Sequence, residues 1–158
     1  MSELQMDLLA AIREIEGEIQ TIMHQSIDDF KDAVSQSVND NVYAAYASNA
    51  SEPYKRRKEN GGLSDPDNYE VEEGKLSLML YNNTRGNEAY APPNSEGWNR
   101  GYITGIIESG KGYKWKESEI FKRQPYKRPF MTIAQNNFID DILLPKMEKH
   151  FDMKTTKR

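Results

Sequence analysis

The 158-residue chain has the length of one domain and a polar composition, with 37% apolar residues, a mean hydropathy of −0.85 and a net charge of −4. It has no cysteine, which excludes a disulfide framework and thiolate sites, and its charge gives no overall field that attracts nucleic acid. Few apolar residues with nine Tyr and two Trp indicate that other subunits supply part of the packing surface, since both side chains combine a large contact area with a polar tip.

The N-terminal residues 3–47 are predicted to be helical. Their apolar residues recur at spacings of mostly three and four, which places them on one stripe. These residues are Leu4, Leu8, Ile12, Ile15, Ile19, Ile22, Met23, Ile27, Phe30, Val34, Val38 and Val42. Ser2 and Gln5 are expected to cap the helix. An unbroken helix would approach roughly 60 Å, more than the diameter of a compact domain of this size. We therefore expect a break between Gly17 and Gln25, or a projecting end that meets a neighbour.

One β-hairpin is predicted over residues 69–82. Its turn is expected at Gly74, because the residues after this glycine alternate between leucine and other residue types, as expected for a strand. One face of the second strand should point to the core through Leu76, Leu78 and Leu80.

The segments beside the hairpin are predicted to be loops. Residues 48–68 are rich in Pro, Gly, Asn and Asp, and residues 83–101 form a second Pro- and Gly-rich loop that is long for a compact domain. Gly61 and Gly62 should let the chain turn sharply into the first strand. Residues 65–68 are expected to form a turn rather than a calcium loop, because they lack the required Gly and bidentate Glu. Residues 102–108 form a short apolar segment of one or two helical turns.

A second helix is predicted over residues 129–150. Pro129 suits the first helical position, where its missing N–H costs nothing. Pro145 is expected to kink or end the helix. The apolar stripe consists of Phe130, Ile133, Ala134, Phe138, Ile142 and Leu143.

The fold class predicted from these elements is α+β, with a long N-terminal helix and a C-terminal helix packed on a small antiparallel sheet. We expect residues 1–158 to form a single domain. Within it, residues 1–47 would be a helical arm, residues 48–150 the α+β core and residues 151–158 a frayed tail.

The residue types do not predict an active site. The chain has two histidines, His24 and His150, and no spacing typical of a metal site. Carboxylates occur as adjacent pairs, whose side chains diverge on a helix and alternate across a strand. The glycines match no phosphate-binding loop. We therefore expect no catalytic residue, no metal, no cofactor and no enzymatic activity, and the absence of a long apolar run predicts no membrane partner.

Two clusters combine basic and aromatic residues, at residues 54–58 and 113–128. Such clusters can bind single-stranded nucleic acid by phosphate pairing and base stacking. Arg and Tyr also carry the hot spots of protein interfaces, and a solvated loop is the third interpretation. The acidic net charge disfavours nucleic-acid binding as the main role, so we favour a protein interface and keep a nucleic-acid-binding module as the alternative.

Three sequence blocks follow one another along the chain. The first holds Tyr43 and Tyr46 and then Tyr54–Leu63 (YKRRKENGGL), the second Ile106–Gly110 with Gly112, Tyr113 and Trp115, and the third Arg128–Met131. Over roughly residues 43–148 the chain resembles the gene-product-ten-like tail-component family of HK-type siphophages. It departs from that family in its long first helix and in the insertion at residues 83–101.

This resemblance implies a structural subunit at the head–tail junction of a tailed-phage virion, as a neck, tail-completion or tail-terminator-like ring protein. It implies self-association into a homo-oligomeric ring, with a connector or portal-side protein on one face and tail-tube protein on the other. An acidic lumen would let genomic DNA pass without sticking. We expect a virion location after synthesis in the host cytoplasm. The expected interface residues are Tyr54, Lys55, Arg56, Arg57, Lys58, Tyr113, Trp115, Arg128 and Phe130.

Overall fold

The computed structural model describes residues 2–45, 57–85, 102–110 and 126–156. In these ranges, helices pack on a two-stranded antiparallel sheet, so the α+β prediction is confirmed. The elements are α1 (Glu3–Gln25), α2 (Ile27–Val38), β1 (Tyr69–Gly74), β2 (Ser77–Asn82), α3 (Thr104–Ser109), α4 (Phe130–Asn137) and α5 (Leu144–Thr156). A π-helical segment (Asn39–Tyr43) continues α2, and a second (Phe138–Leu143) joins α4 to α5. The division into a single domain with an arm and a tail stays a prediction.

The long N-terminal helix is broken at Ser26, one residue beyond the interval in which the break was predicted. Ser26 is fully buried, and its amide donates to the Met23 carbonyl at 3.0 Å while its hydroxyl donates to the Ile22 carbonyl at 2.8 Å. These bonds replace the regular helical ladder by a tighter turn. Gly17, the weak point in the sequence, stays inside α1 because helix propensity is a small term.

The core lies between α2 and α4. Phe30 and Phe138 stack with ring centroids 4.4 Å apart and planes 13° apart. A regular α-helix makes 3.6 residues per turn, so side chains at every fourth position shift gradually around the helix axis. The π-helical segments that follow α2 and α4 have more residues per turn, and they return the next apolar residues to the face that meets the core. The buried apolar residues of this core are Phe30, Val34, Val38, Val42, Leu63, Tyr69, Leu80, Phe130, Ala134 and Phe138.

The hairpin is confirmed, with its turn one step later than predicted. Gly74 still pairs with Ser77 across the strands, so the turn residues are Lys75 and Leu76. Leu76 is therefore outside the sheet and 48% exposed, which corrects its assignment to the core face. Leu78 and Leu80 do face the core, as the alternation predicted.

The last helix begins at Phe130 and runs through the π-helical segment to Thr156. Pro129 is therefore the residue before the helix rather than its first residue. Pro145 lies in the first turn of α5 and does not end it. Proline normally clashes with the carbonyl four residues earlier, and the wide turn that precedes Pro145 relieves that clash. The predicted end at residue 150 is thus wrong, and residues 151–156 are helical.

The short apolar segment is helical, as predicted. It forms α3 and ends at Gly110, whose φ of 68° is the left-handed conformation that commonly closes a helix. A Cβ at Gly110 would lie 2.5 Å from the Lys127 amide nitrogen, so only glycine fits where the chain before α4 crosses it.

Candidate interaction surface

The predicted basic interface segment is described only at Arg57 and Lys58. The half-buried Arg57 donates from its guanidinium to the carbonyl oxygen of Arg85 and thereby ties this loop to the chain that leaves the hairpin. Lys58 is exposed. The other predicted residues of the two clusters lie outside the described residues, and they are Tyr54, Lys55, Arg56, Tyr113 and Trp115.

The glycine pair after the basic residues forms the sharp turn that the sequence predicted. Gly61 has a φ of 81°, which a residue with a Cβ rarely adopts. A Cβ on Gly62 would lie 2.3 Å from the carbonyl oxygen of Lys58. The carboxylate of Asp65 accepts the Gly61 amide and, at 3.0 Å, the Asp67 amide. The following Pro66–Asn68 is a 3-10 turn, in agreement with its assignment as a turn rather than a calcium loop.

Leu63, which ends the motif, is fixed by buried hydrogen bonds. Its carbonyl oxygen accepts both the Tyr69 hydroxyl and the Asn82 side-chain amide at 2.8 Å, and its amide donates to the Tyr43 hydroxyl at 3.2 Å. Burial raises the pKa of Tyr69 to about 12. The described part of the motif therefore acts mainly in folding, because it fastens the loop to the hairpin and to the end of α2.

Two predicted interface residues lie in the interior. Phe130 is fully buried in the core, and Arg128 is 6% exposed, so neither offers its side chain to a partner in this fold. The Arg128 amide donates to the Ile107 carbonyl at 2.9 Å, which fixes the start of α4 beside α3. The Arg-Pro-Phe block therefore anchors a helix, which corrects its assignment to the interface.

The first half of α1 presents apolar side chains to solvent. Every residue from Ser2 to Ile15 is exposed, in contrast to Ile22 further along the same stripe, which is 7% exposed. We call Leu8, Ile12 and Ile15 the α1 seam, and their exposed fractions are 60%, 43% and 48%. Single exposed apolar residues are ordinary, but a contiguous row on one helix marks an interaction site.

The exposed half of α1 has a well-formed end. The Ser2 hydroxyl accepts the Gln5 amide at 3.3 Å, and the Gln5 side-chain oxygen accepts the Ser2 amide at 2.8 Å. This capping box confirms the predicted cap and satisfies amides that have no partner within the helix.

The rest of α1 is held on two sides by charged contacts. On the hairpin side, Lys75 contacts Glu16 at 2.5 Å and Glu73 contacts His24 at 2.9 Å. On the α5 side, His150 contacts Glu18 at 2.9 Å. On the hairpin side the contacts begin at Glu16, and on the α5 side Lys154 also reaches Glu14 at 3.8 Å. The residues before Glu14 therefore extend past both.

Glu18 contacts two basic side chains of α5. Its hydrogen bond to Lys154, followed by that to His150, lowers the pKa of Glu18 below its ordinary value of 4.5. Glu18 thus joins α1 to the last turns of α5 and keeps residues 151–156 in place.

Sequence reasoning placed the α1 seam on one continuous apolar stripe with the residues of α2. It also named a projecting end that meets a neighbour as one of two outcomes. No local signal in the sequence separates the two halves, because the stripe runs from Leu8 to Ile22 within the unbroken helix α1.

The described residues hold no cluster of three or more His, Cys, Asp or Glu that could bind a metal ion. No helix among them is long and apolar enough to cross a bilayer.

Comparison with known proteins gives one match. The model of the YomN family, a phage-associated family, matches residues 3–152. No curated protein and no solved structure matches the chain. The resemblance to a phage family is therefore confirmed at this coarser level.

Proposed function

Since the chain belongs to the phage-associated YomN family, we propose that it is a structural subunit of a tailed-phage virion and acts at the head–tail junction. Its role there is that of a neck, tail-completion or tail-terminator-like protein, without enzymatic activity. The proposal rests on the family and on the resemblance of residues 43–148 to siphophage tail components.

The observation that carries an assembly role is the exposed apolar half of α1. Leu4 and Leu8 are 78% and 60% exposed on a capped helix. Apolar side chains gain free energy when they leave water, at roughly 25 cal/mol for each Å² buried. A subunit that is completed by its neighbours explains this exposure, and it also explains the low apolar content of the chain.

The partners that fit this role are further copies of the chain in a closed ring, a connector or portal-side protein on one face and tail-tube protein on the other. Contacts that repeat head to tail generate such rings. The net charge of −4 favours an acidic lumen through which genomic DNA passes. The location of the protein is then the virion, after synthesis in the host cytoplasm.

Deletion of the gene from a phage that carries it tests the proposal. We expect particles with separate heads and tails, or tails of abnormal length, in electron micrographs of the lysate. Expression of the wild-type chain in trans should restore complete particles, and mass spectrometry should detect the chain in purified virions.

Two results together would overturn the proposal: complete, infectious particles after the deletion, and purified wild-type virions that lack the chain. Salt-dependent binding to single-stranded DNA at about 50 mM salt, where counterion release makes such binding strong, would favour the nucleic-acid-binding alternative.

A further inference from the structure

We propose that the α1 seam binds the α1 helix of a second copy of this chain, by side-by-side packing of the coiled-coil type. This inference deepens the proposed function and rests on it, because it names a second copy as a partner and the seam as the contact surface. The contact is self-complementary and joins two copies, so it is distinct from the head-to-tail contacts that close a ring.

The spacing of the seam is that of a helix–helix contact. From Leu8 onward, the apolar residues follow one another at steps of four, three, four and three along α1. This is the seven-residue repeat with apolar a and d positions, in which side chains of one helix enter the gaps of another. The residues on the repeat are Leu8, Ile12, Ile15, Ile19 and Ile22.

The two halves of this repeat differ in how far the rest of the chain buries them. Ile22 is buried and Ile19 is half-buried against the rest of the chain, whereas Ile12 and Ile15 are exposed. One half of the stripe therefore already packs within the chain, and the seam continues that packing surface past the hairpin. A second copy presents the same stripe and can extend the contact.

The charges around the seam favour a second copy as the occupant. With Leu8 at position d, the charged residues before Ile15 fall at the outer positions b, c and f, and these residues are Glu3, Asp7, Arg13 and Glu14. Before Ile15, the positions e and g beside the seam hold Leu4, Leu9 and Ala11, and Glu16 at the following e position is paired with Lys75 of the same chain. Two identical helices can thus meet without bringing like charges together, and the apolar flanks widen the contact.

A membrane surface fits this helix poorly. Helices that lie on membranes carry mostly Lys and Arg on the polar face. The outer positions here carry three carboxylates and one cation, Arg13. An anionic lipid surface repels the resulting net negative charge.

The test compares the masses of three forms of the whole chain by sedimentation and light scattering over a range of concentrations. They are the wild type, the seam variant Leu8→Lys/Ile12→Lys and the control variant Met6→Lys/Ala10→Lys. Met6 and Ala10 are exposed on the same turns of α1 but occupy the outer positions b and f. Both variants therefore add the same charge and remove apolar residues from the same helix.

We expect the wild type and the control to have a mass that is a multiple of 18.2 kDa, and the seam variant to have the mass of one chain. Leu8 and Ile12 are exposed in one chain, so circular dichroism should show that the seam variant keeps its helices. A wild type that is monomeric throughout, a seam variant with an unchanged mass, or a control that dissociates equally would each overturn the proposal. A monomer that floats with phosphatidylglycerol vesicles would identify the membrane as the occupant instead.

Failure of this inference differs from failure of the proposed function. A monomeric chain that is nevertheless found in virions would contradict the seam and leave the virion role standing. A wild type that associates through the seam but is absent from virions would contradict the virion role alone.

Discussion

The carboxylate of Glu108 caps a helix that begins more than twenty residues later, by accepting the amide of Thr132 at 3.1 Å and its hydroxyl at 2.7 Å. Its other oxygen accepts the Met131 amide at 2.9 Å. The first amides of a helix have no partner within the helix, and a negative charge is favourable there. The short helix α3 thus fixes the start of α4, which contributes Phe130 and Ala134 to the core.

Replacement of Glu108 by Ala should lower the free energy of unfolding by about 1–2 kcal/mol, as the loss of a helix cap does. Urea denaturation measures the loss. Glu148→Ala, at an exposed position of α5, controls for the removal of one carboxylate and should have little effect. Equal losses in the two variants would show that the cap does not contribute.

Replacement of Phe138 by Ala should cost about 3–5 kcal/mol, because it removes a buried ring and leaves a cavity beside Phe30. Thermal and urea unfolding measure the cost. Leu144→Ala removes an apolar side chain that is 46% exposed in the next turn, and it should cost far less. A Phe138→Ala variant as stable as the wild type would contradict the stacked core.

Gly62→Ala and Gly17→Ala should have opposite effects. A Cβ at Gly62 would lie 2.3 Å from the Lys58 carbonyl oxygen, whereas a Cβ at Gly17 meets nothing within 4 Å. The first change should lower the free energy of unfolding by more than about 1 kcal/mol, because the backbone must shift. The second should raise it by about 1 kcal/mol, since alanine is the better helix former. The same sign for both changes, measured by urea denaturation, would refute this account.

The pKa of Glu18 sets the sign of a pH dependence. Because contact with Lys154 lowers that pKa in the folded state, the charged carboxylate stabilises the fold above pH 4.5, the ordinary value. This contribution is lost as the pH falls below 4.5 and through the lower pKa of the folded state. The free energy of unfolding, measured at a series of pH values, should therefore fall less steeply with decreasing pH in Glu18→Gln than in the wild type.

Asp7→Asn is the matched control for Glu18→Gln, because it removes a carboxylate from the exposed half of α1. In Asp7→Asn, the free energy of unfolding should fall with decreasing pH as steeply as in the wild type. An acid profile of Glu18→Gln that overlies that of the wild type would show that the contact between α1 and α5 adds nothing to stability.

Much of the local structure follows from the sequence. The spacing of apolar residues predicts the helices, the alternation after Gly74 predicts the second strand, and the pair Gly61 and Gly62 predicts the sharp turn. These features are local, because periodicity and backbone freedom act over a few neighbouring residues. The boundaries are less well predicted: Pro145 was expected to kink or end the last helix, and the wide turn before it lets that helix continue.

The predicted interface shows where sequence reasoning stops. Arg128 and Phe130 were assigned to a partner surface, and both are buried. Phe is common at interfaces and in cores alike, so its residue type does not separate the two locations, and Arg is rarely buried, so its residue type favours the surface. The outcome depends on α3, whose Ile107 carbonyl and Glu108 carboxylate hold the beginning of α4 against the core.

By itself, the sequence determined the mixed helical and hairpin elements, the capped start of α1, the glycine turn and the polar composition that pointed to a subunit with neighbours. The tertiary structure alone decided which half of the long apolar stripe is core and which half is the α1 seam. The physical reason is that one helical stripe looks the same along its length, and only the segments that pack against it determine where burial ends. The hairpin turn contacts α1 up to Glu16 and α5 contacts it up to Glu14, and the apolar residues from Leu4 to Ile15 remain exposed.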